Sequence, residues 1–168
     1  HDIYTFAKEV EIDDVKELLD QMIACNTAIA QEGMHGDYGA NIGKVITIRK
    51  DLPSLLKAYA AAGSDARMNG CELPVVINSG SGNQGLTVSV PLIIYAEREH
   101  LDKEKLYRAL VISNLTAIHL KTEIGRLSAF CGAVSAGAAC GAGLAYLKDA
   151  SEEVINHTIV NALAITSG

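Results

Sequence analysis

The chain has 168 residues, which is enough for one domain with a sizeable hydrophobic core. Hydrophobic residues make up 49% of the sequence and charged residues 20%, a composition that indicates a globular protein and excludes a disordered one. The net charge is −6, the isoelectric point is near 5.3, and lysines and arginines do not cluster, which argues against a nucleic-acid-binding surface.

The first half of the chain predicts two long helices separated by a glycine-rich segment. Apolar residues at three- and four-residue spacing predict an amphipathic helix over residues 12–32. Residues 33–50 are loop-like, and the alternation in Lys44–Arg49 fits either a strand or the start of a helix. Asp51 and Pro53 then open a second helix, because proline fits the first turn of a helix. We expect this helix to fade at the glycines that follow.

The middle of the chain predicts an extended segment, a loop and two helices. Leu73–Ile77 fits a short strand or an extended segment, and residues 78–85 read as a loop rich in Gly, Ser and Asn. Residues 86–96 are apolar and contain Pro91. A proline is poorly tolerated inside a central strand, so a buried helix with a kink fits this run better. Another amphipathic helix is predicted over residues 103–121.

Residues 124–147, IGRLSAFCGAVSAGAACGAGLAYL, form the run around which we expect the chain to pack. The run is too long for a strand, and its recurring glycines imply that another backbone comes close, so we predict a buried central helix. A transmembrane span is the alternative, but few of the side chains are large and no second span is evident. Ser151 begins a last amphipathic helix. The predicted fold class is all-α, a single helical domain over residues 1–168 with at most one or two short strands.

Gly80–Gly85 matches the pattern G-x-G-x-x-G and follows an apolar run. Three interpretations stay open for this loop. It resembles a dinucleotide-binding fingerprint, although no second strand with a terminal acidic residue follows. It also fits a turn that needs positive φ angles. Thirdly, a loop of this composition that opens a helix offers N–H groups and hydroxyls to an anion such as a carboxylate.

Four widely spaced cysteines, with no C-x-x-C pair and no secretory signal segment, indicate a reducing cytoplasm rather than a disulfide framework. Cys131 and Cys140 are nine residues apart, so on one helix they point to opposite faces and cannot hold one ion together. Cys131 is the candidate reactive thiol, because a thiolate is favoured near a helix start. The other candidates are Cys25, Cys71 and Cys140 as structural residues, His119 with Glu123 as a metal pair or a polar helix end, His35 as an acid or base, and His100 and His157 as surface residues.

Two stretches together, NSGSGNQGLTVSVPL and HLKTEIGRLSAFCGAVSAGAACGAGLAYL, resemble the L-cysteine desulfidase family. This family is a relative of the alpha chain of iron–sulfur L-serine dehydratases. The resemblance covers most of the chain, including NTAIAQEG and YGANIGK. The second stretch is the specific one, since the glycine loop alone is a weak signal.

The resemblance implies a largely helical, pyridoxal-phosphate-independent lyase with a 4Fe–4S cluster. Three cysteines hold such a cluster and leave one iron open as a Lewis acid for the leaving thiol or hydroxyl. Elimination from L-cysteine would give sulfide, ammonia and pyruvate. By the same resemblance Cys131 is one cluster ligand and Lys121 is a base or carboxylate anchor. The resemblance also implies that the loop near the substrate consists of Ser79, Gly80, Ser81, Gly82 and Asn83.

The sequence also departs from the family pattern. Cys25-Asn26-Thr27 only echoes the early Cys-Thr-Glu-Pro motif, and the later cysteine-bearing segment is missing. The chain opens with His1 and ends at Gly168 directly after a helical pattern, so we expect a fragment that does not assemble the cluster alone. Val134 and Ser135 stand where the dehydratase branch has an acidic residue, which favours the desulfidase branch.

The sequence thus predicts a cytoplasmic lyase domain with a small amino-acid substrate, no nucleic-acid partner and no membrane partner, and leaves a homo-oligomer open. Two other activities stay open as alternatives. One is a serine-dehydratase-like ammonia-lyase. The other is a helical domain that binds a small anion without catalysis, or that has a structural role alone.

Overall fold

The computed structural model describes residues 1–122, 124–125 and 132–167, with the side chain of residue 167 left aside. These residues form eight α-helices and no strand, which confirms the all-α fold class. The helices are α1 (Asp2–Glu9), α2 (Ile12–His35), α3 (Ile42–Ile46), α4 (Leu52–Met68), α5 (Gly82–Arg98), α6 (Lys103–Thr122), α7 (Ala133–Leu147) and α8 (Glu152–Ser167).

The predicted end of α2 at Gly33 is wrong, because that glycine lies inside the helix, whereas α4 ends at Met68, within the stretch 63–70 where it was expected to fade. Gly33 lies within α2, and a Cβ atom there would overlap the carbonyl oxygen of Ala62 in α4. Gly63 lies within α4 and faces Ala30 of α2, whose Cα would lie 3.3 Å from an added Cβ. The absence of side chains at both glycines lets the two backbones pack closely. The residues of Lys44–Arg49 do not form a strand; α3 and a turn take their place.

Leu73–Ile77 forms neither a helix nor a strand, and the backbone of Val76 is paired by a side chain rather than by a sheet. The buried amide of Asn26 accepts a hydrogen bond from the Val76 N–H (2.8 Å) and donates one to the Val76 carbonyl (3.2 Å). It also donates to the Ser89 hydroxyl (2.9 Å). The strand alternative for this segment is therefore wrong, because one asparagine supplies the partners that a neighbouring strand would supply. Asn26 thereby fixes the segment that leads into α5.

Contacts near the two ends of the helices α5, α6 and α7 show the direction in which each helix runs. Ala117 of α6 meets Val88 of α5 and Ala136 of α7 in one buried cluster, and the Ser113 hydroxyl donates to the Val88 carbonyl (2.8 Å). At the other end, Gly143 of α7 faces Leu92 and the Ala109 carbonyl. Helices α5 and α7 thus run parallel, with α6 antiparallel to both.

The Gly/Ala-rich helix is present as α7, packed against α5, α6 and α8. Its predicted start at residue 124 is wrong, since the helix begins at Ala133. Gly125 has φ +84° and its N–H bonds to the Lys121 carbonyl (3.0 Å), so this glycine ends α6. None of the helices in the described residues is long and apolar enough to cross a bilayer. The helix α5 is enclosed more fully than α7, by α2, α4, α6 and α7.

Candidate functional site

The substrate loop predicted from the sequence is a tight turn that delivers the chain into α5. The backbone N–H of Asn78 bonds to the Ser81 carbonyl (3.1 Å), and the N–H of Ser81 bonds to the Asn78 carbonyl (3.0 Å). Between them Ser79 and Gly80 both have positive φ angles, 48° and 80°. This geometry explains a glycine at position 80, because residues with side chains seldom adopt it. The turn interpretation is confirmed for Ser79 and Gly80, whereas residues 82–85, which were also expected to be loop, lie in α5.

The turn is anchored to α6 through two asparagines. The buried Asn78 amide donates to the side-chain oxygen of Asn114 (2.9 Å) and to its carbonyl (3.3 Å). The Ser79 hydroxyl donates to the Asn78 side-chain oxygen (3.0 Å). The position of the turn is therefore set by buried polar contacts, which leaves little freedom at the start of α5.

The first turn of α5 presents N–H groups to an anion. Ser81 is the N-cap residue, and its hydroxyl accepts a hydrogen bond from the Gln84 N–H (3.4 Å). The N–H groups of Gly82 and Asn83 have no hydrogen-bond partner within the described part of the chain. Unpaired N–H groups at the positive end of a helix dipole favour a negatively charged group.

Arg67 of α4 lies across the start of α5. Its side chain packs over Gly82, where a Cβ atom would overlap Nε and lie 2.8 Å from Cδ. One guanidinium nitrogen donates to the Asn83 side-chain oxygen (3.2 Å). Among the described residues no carboxylate pairs with this half-buried cation. A cation and a helix N-terminus therefore act together at this end of α5, and a carboxylate is an anion that both can bind.

Lys121 is buried near the end of α6, with 4% of its surface exposed. It lies one turn beyond Ala117, which meets Val88 and Ala136. The antiparallel register places it at the level where α5 and α7 begin. No hydrogen bond or ion pair of its side chain involves any residue described in the structure. Burial of a lysine amine is costly unless another group compensates, and the described residues supply no such group.

Gln84 is a site residue that the sequence analysis did not single out. It is 5% exposed, and its carbonyl oxygen Oε1 has no hydrogen-bond partner among the residues that the structure describes. Its amide group lies against Gly132, where an added Cβ atom would overlap the amide and lie 2.6 Å from Oε1. The sequence signal that could have identified Gln84 is a polar side chain in the first turn of an otherwise apolar helix.

Cys131 lies outside the described residues and directly precedes Gly132 in the sequence. The described cysteines do not gather into a ligand set. Cys140 is buried, which raises the pKa of its thiol to about 12 and disfavours the thiolate that iron requires. Cys25 and Cys71 are half-buried free thiols on α2 and after α4. No group of three or more metal-binding side chains occurs in the described ranges, so these residues alone do not fit an iron–sulfur cluster.

The histidines predicted as alternatives do not lie at this site. His35 is exposed, and its ring nitrogen Nδ1 bonds to the Gln31 carbonyl (2.7 Å). His119 is exposed, whereas its proposed metal partner Glu123 lies outside the described residues. His100 and His157 are exposed, as predicted. The dinucleotide interpretation of the glycine loop is wrong, because that fingerprint joins a strand of a sheet to a helix and the described residues contain no sheet.

Comparisons with a family model and with curated proteins both give matches over nearly the whole chain. The family model for the serine dehydratase alpha chain matches residues 2–168. The UPF0597 protein of Desulfitobacterium hafniense is 61% identical over 168 residues, covering 99% of this chain and 39% of that protein. UPF0597 proteins of Lachnoclostridium phytofermentans and Finegoldia magna are 55% and 51% identical, each with 99% of this chain and 40% of the relative covered. The chain thus spans about two fifths of the length of these curated relatives. No solved structure matches.

Proposed function

The chain belongs to the serine dehydratase alpha chain family, and on this premise we propose that it forms part of an iron–sulfur lyase that eliminates sulfide from L-cysteine. The products are sulfide, ammonia and pyruvate. One observation carries the proposal. A cation, unpaired helix N–H groups and a buried lysine share the end of the three-helix unit α5–α6–α7 that adjoins Cys131.

In the proposed reaction the start of α5 holds the substrate carboxylate. Arg67 supplies a charged donor, and the N–H groups of Gly82 and Asn83 supply two more. The three donors neutralise the carboxylate and fix the substrate's orientation at the mouth of the helix. The buried turn at Asn78 holds these donors in place before the substrate arrives, which lowers the entropic cost of binding.

Lys121 takes the α-proton. The Cα–H bond breaks, its electron pair forms the Cα=Cβ double bond, and the Cβ–S bond breaks to release sulfide. The resulting 2-aminoacrylate tautomerises to an imine, and water then hydrolyses the imine to pyruvate and ammonia. A buried amine suits this role because few other groups compete for it and the low-polarity surroundings strengthen its interactions.

The cluster would supply a Lewis acid that takes up the negative charge of the leaving thiolate. Cys131 is the residue of this chain proposed to bind it, since Cys140 is buried as a neutral thiol. The remaining ligands are proposed to come from the part of the protein beyond these 168 residues, because the described cysteines do not converge.

The residues that follow Cys131 favour L-cysteine over L-serine as the substrate. Val134 is half-buried and apolar, and the buried Ser135 hydroxyl donates to the Gly132 carbonyl (3.0 Å). Neither residue places a carboxylate beside the reacting atoms. An acidic group there would assist a leaving hydroxyl, which is a poorer leaving group than a thiolate.

The test is anaerobic reconstitution of the full-length protein with iron and sulfide. We expect visible absorbance from the cluster, and sulfide and pyruvate in equal amounts from L-cysteine. Cys131→Ser should lose iron and activity, whereas the matched control Cys140→Ala should keep both. A full-length protein that takes up no iron, or a Cys131→Ser variant with full activity, defeats the proposal. Faster pyruvate release from L-serine would establish the dehydratase alternative instead.

A second candidate function is binding of a small carboxylate without catalysis, which Arg67 and the start of α5 would support without help from Lys121. Thermal stabilisation by L-cysteine or propionate, with no turnover by a fully loaded protein, would establish it. The Arg67→Met variant should then lose that stabilisation.

A further inference from the structure

We infer that the side-chain carbonyl of Gln84 binds the α-ammonium group of the amino-acid substrate. The inference deepens the proposed function and rests on it for the substrate class. An amino acid carries a carboxylate and an ammonium on the same carbon, so a site that holds the carboxylate needs a hydrogen-bond acceptor close by. Arg67 and the N–H groups of α5 are donors only.

Gln84 is the acceptor that the structure offers. Its Oε1 is enclosed and has no partner in the described part of the chain, an arrangement that costs free energy unless another group completes it. It belongs to the same first turn of α5 as Gly82 and Asn83, whose N–H groups bind the carboxylate. Gly132, the residue that follows Cys131 in the sequence, leaves room for its amide. A substrate bound by its carboxylate at Asn83 therefore finds an acceptor within the same helical turn.

Three other side-chain oxygens at the start of α5 already accept hydrogen bonds. The side-chain oxygen of Asn78 accepts from Ser79, and that of Asn83 accepts from Arg67. The Ser81 hydroxyl caps the helix. Gln84 is thus the group through which the site would distinguish an amino acid from an acid that lacks the amine.

The experiment compares L-cysteine with 3-mercaptopropionate, which is the same molecule without the amine, on the full-length holoprotein. In Gln84→Met, we expect the KM for L-cysteine to rise about 10- to 100-fold, the range for a hydrogen bond to a charged group. The inhibition constant of 3-mercaptopropionate should not change. Gln84→Glu keeps an acceptor and should restore the preference for the amine. Gln21→Met, at an exposed position of α2, is the matched control and should behave like the wild type.

Equal weakening of both compounds in Gln84→Met would show a structural role and overturn the inference, as would no change in either. If the loaded wild type turns over neither L-cysteine nor L-serine, the proposed lyase function fails separately. The same pair is then compared by thermal shift. A preference for L-cysteine that Gln84→Met abolishes supports the ammonium site, and equal shifts for the two compounds in the wild type overturn it.

Discussion

The side-chain amide of Gln84 lies directly on the backbone of Gly132, so that the first turn of α5 touches the residue that follows Cys131. Both residues are buried, and α5 and α7 run parallel from this point. A glycine is required at position 132 because the amide occupies the space that a Cβ atom would fill. In the proposed function, this contact would link the start of α5, which binds the substrate, to the residue that follows the proposed cluster ligand Cys131.

The first prediction concerns this contact. Gly132→Ala should push the Gln84 amide out of its place and raise the KM for L-cysteine, while the fold is kept because a flexible side chain can yield. We expect a loss of stability at the low end of the roughly 1–3 kcal/mol typical of overpacking. Steady-state kinetics and urea unfolding of the same preparation check both effects. Unchanged kinetics with a large loss of stability would show that the contact serves packing alone.

The second prediction compares a glycine position that has no room for a side chain with one that has room. A Cβ atom at Gly85 would overlap the Val76 carbonyl, a backbone group that cannot yield, so Gly85→Ala should cost about 2 kcal/mol or more of unfolding free energy. Gly137, on an exposed position of α7, has no atom within 4 Å of an added Cβ. Gly137→Ala should therefore stabilise the protein by about 0.5–1 kcal/mol. Urea unfolding measures both, and equal effects would contradict the packing.

Much of the helical architecture follows from the sequence, because apolar residues at helical spacing fix the long helices α2, α4, α6 and α8. The short helix α1 was not predicted, since eight residues carry too little periodicity. Gly33 and Gly63 were expected to end or weaken their helices on propensity. The close approach of α2 and α4 outweighs that cost.

Residue patterns pointed to the candidate site only where its residues are neighbours in the chain, whereas Lys121 and Cys131 were named from the family resemblance. The turn between Asn78 and Ser81 is local, so its glycine and serine pattern predicted it. Arg67 reaches Gly82 from another helix, and no local pattern links the two. Asn26 shapes the approach to the turn from α2 by the same kind of long-range contact. These residues are set by helix packing, which the sequence pattern does not specify.

The third prediction concerns Lys121. Lys121→Met should lower turnover by about 10²- to 10⁴-fold, the range for loss of a general base. It should leave the unfolding free energy unchanged or higher, because an apolar chain of similar length replaces a buried amine that has no partner among the described residues. Lys57→Met, at an exposed position of α4, is the matched control. A Lys121→Met variant that stays active, or that unfolds, would contradict a role in proton transfer.

The fourth prediction uses the buried thiol of Cys140. Burial raises its pKa to about 12, so near pH 8 almost no thiolate is present, whereas an ordinary thiol with a pKa of about 8.5 is partly ionised. Iodoacetamide should therefore modify the half-buried Cys25 and Cys71 before Cys140. Mass spectrometry of the native protein measures the order in which the cysteines are labelled. In urea, which unfolds the protein, Cys140 should react as fast as Cys25 and Cys71. Early labelling of Cys140 in the native state would contradict its burial.

The fifth prediction concerns the proposed carboxylate anchor. Arg67→Met should raise the KM for L-cysteine about 10- to 100-fold, because a charged donor to the carboxylate is lost. Inhibition by cysteamine, which is cysteine without the carboxylate, should not change. Arg67→Lys keeps the charge but not the planar fork of donors, so we expect an intermediate KM.

Arg49→Met is the control for Arg67→Met, since Arg49 is exposed and lies away from α5. The comparison with cysteamine decides the interpretation. If Arg67 only supports the start of α5 through Asn83, its loss displaces the helix end and weakens cysteamine and L-cysteine alike. If Arg67 binds the carboxylate, only L-cysteine is affected. Equal weakening of the two would assign the carboxylate to the backbone N–H groups of α5 alone.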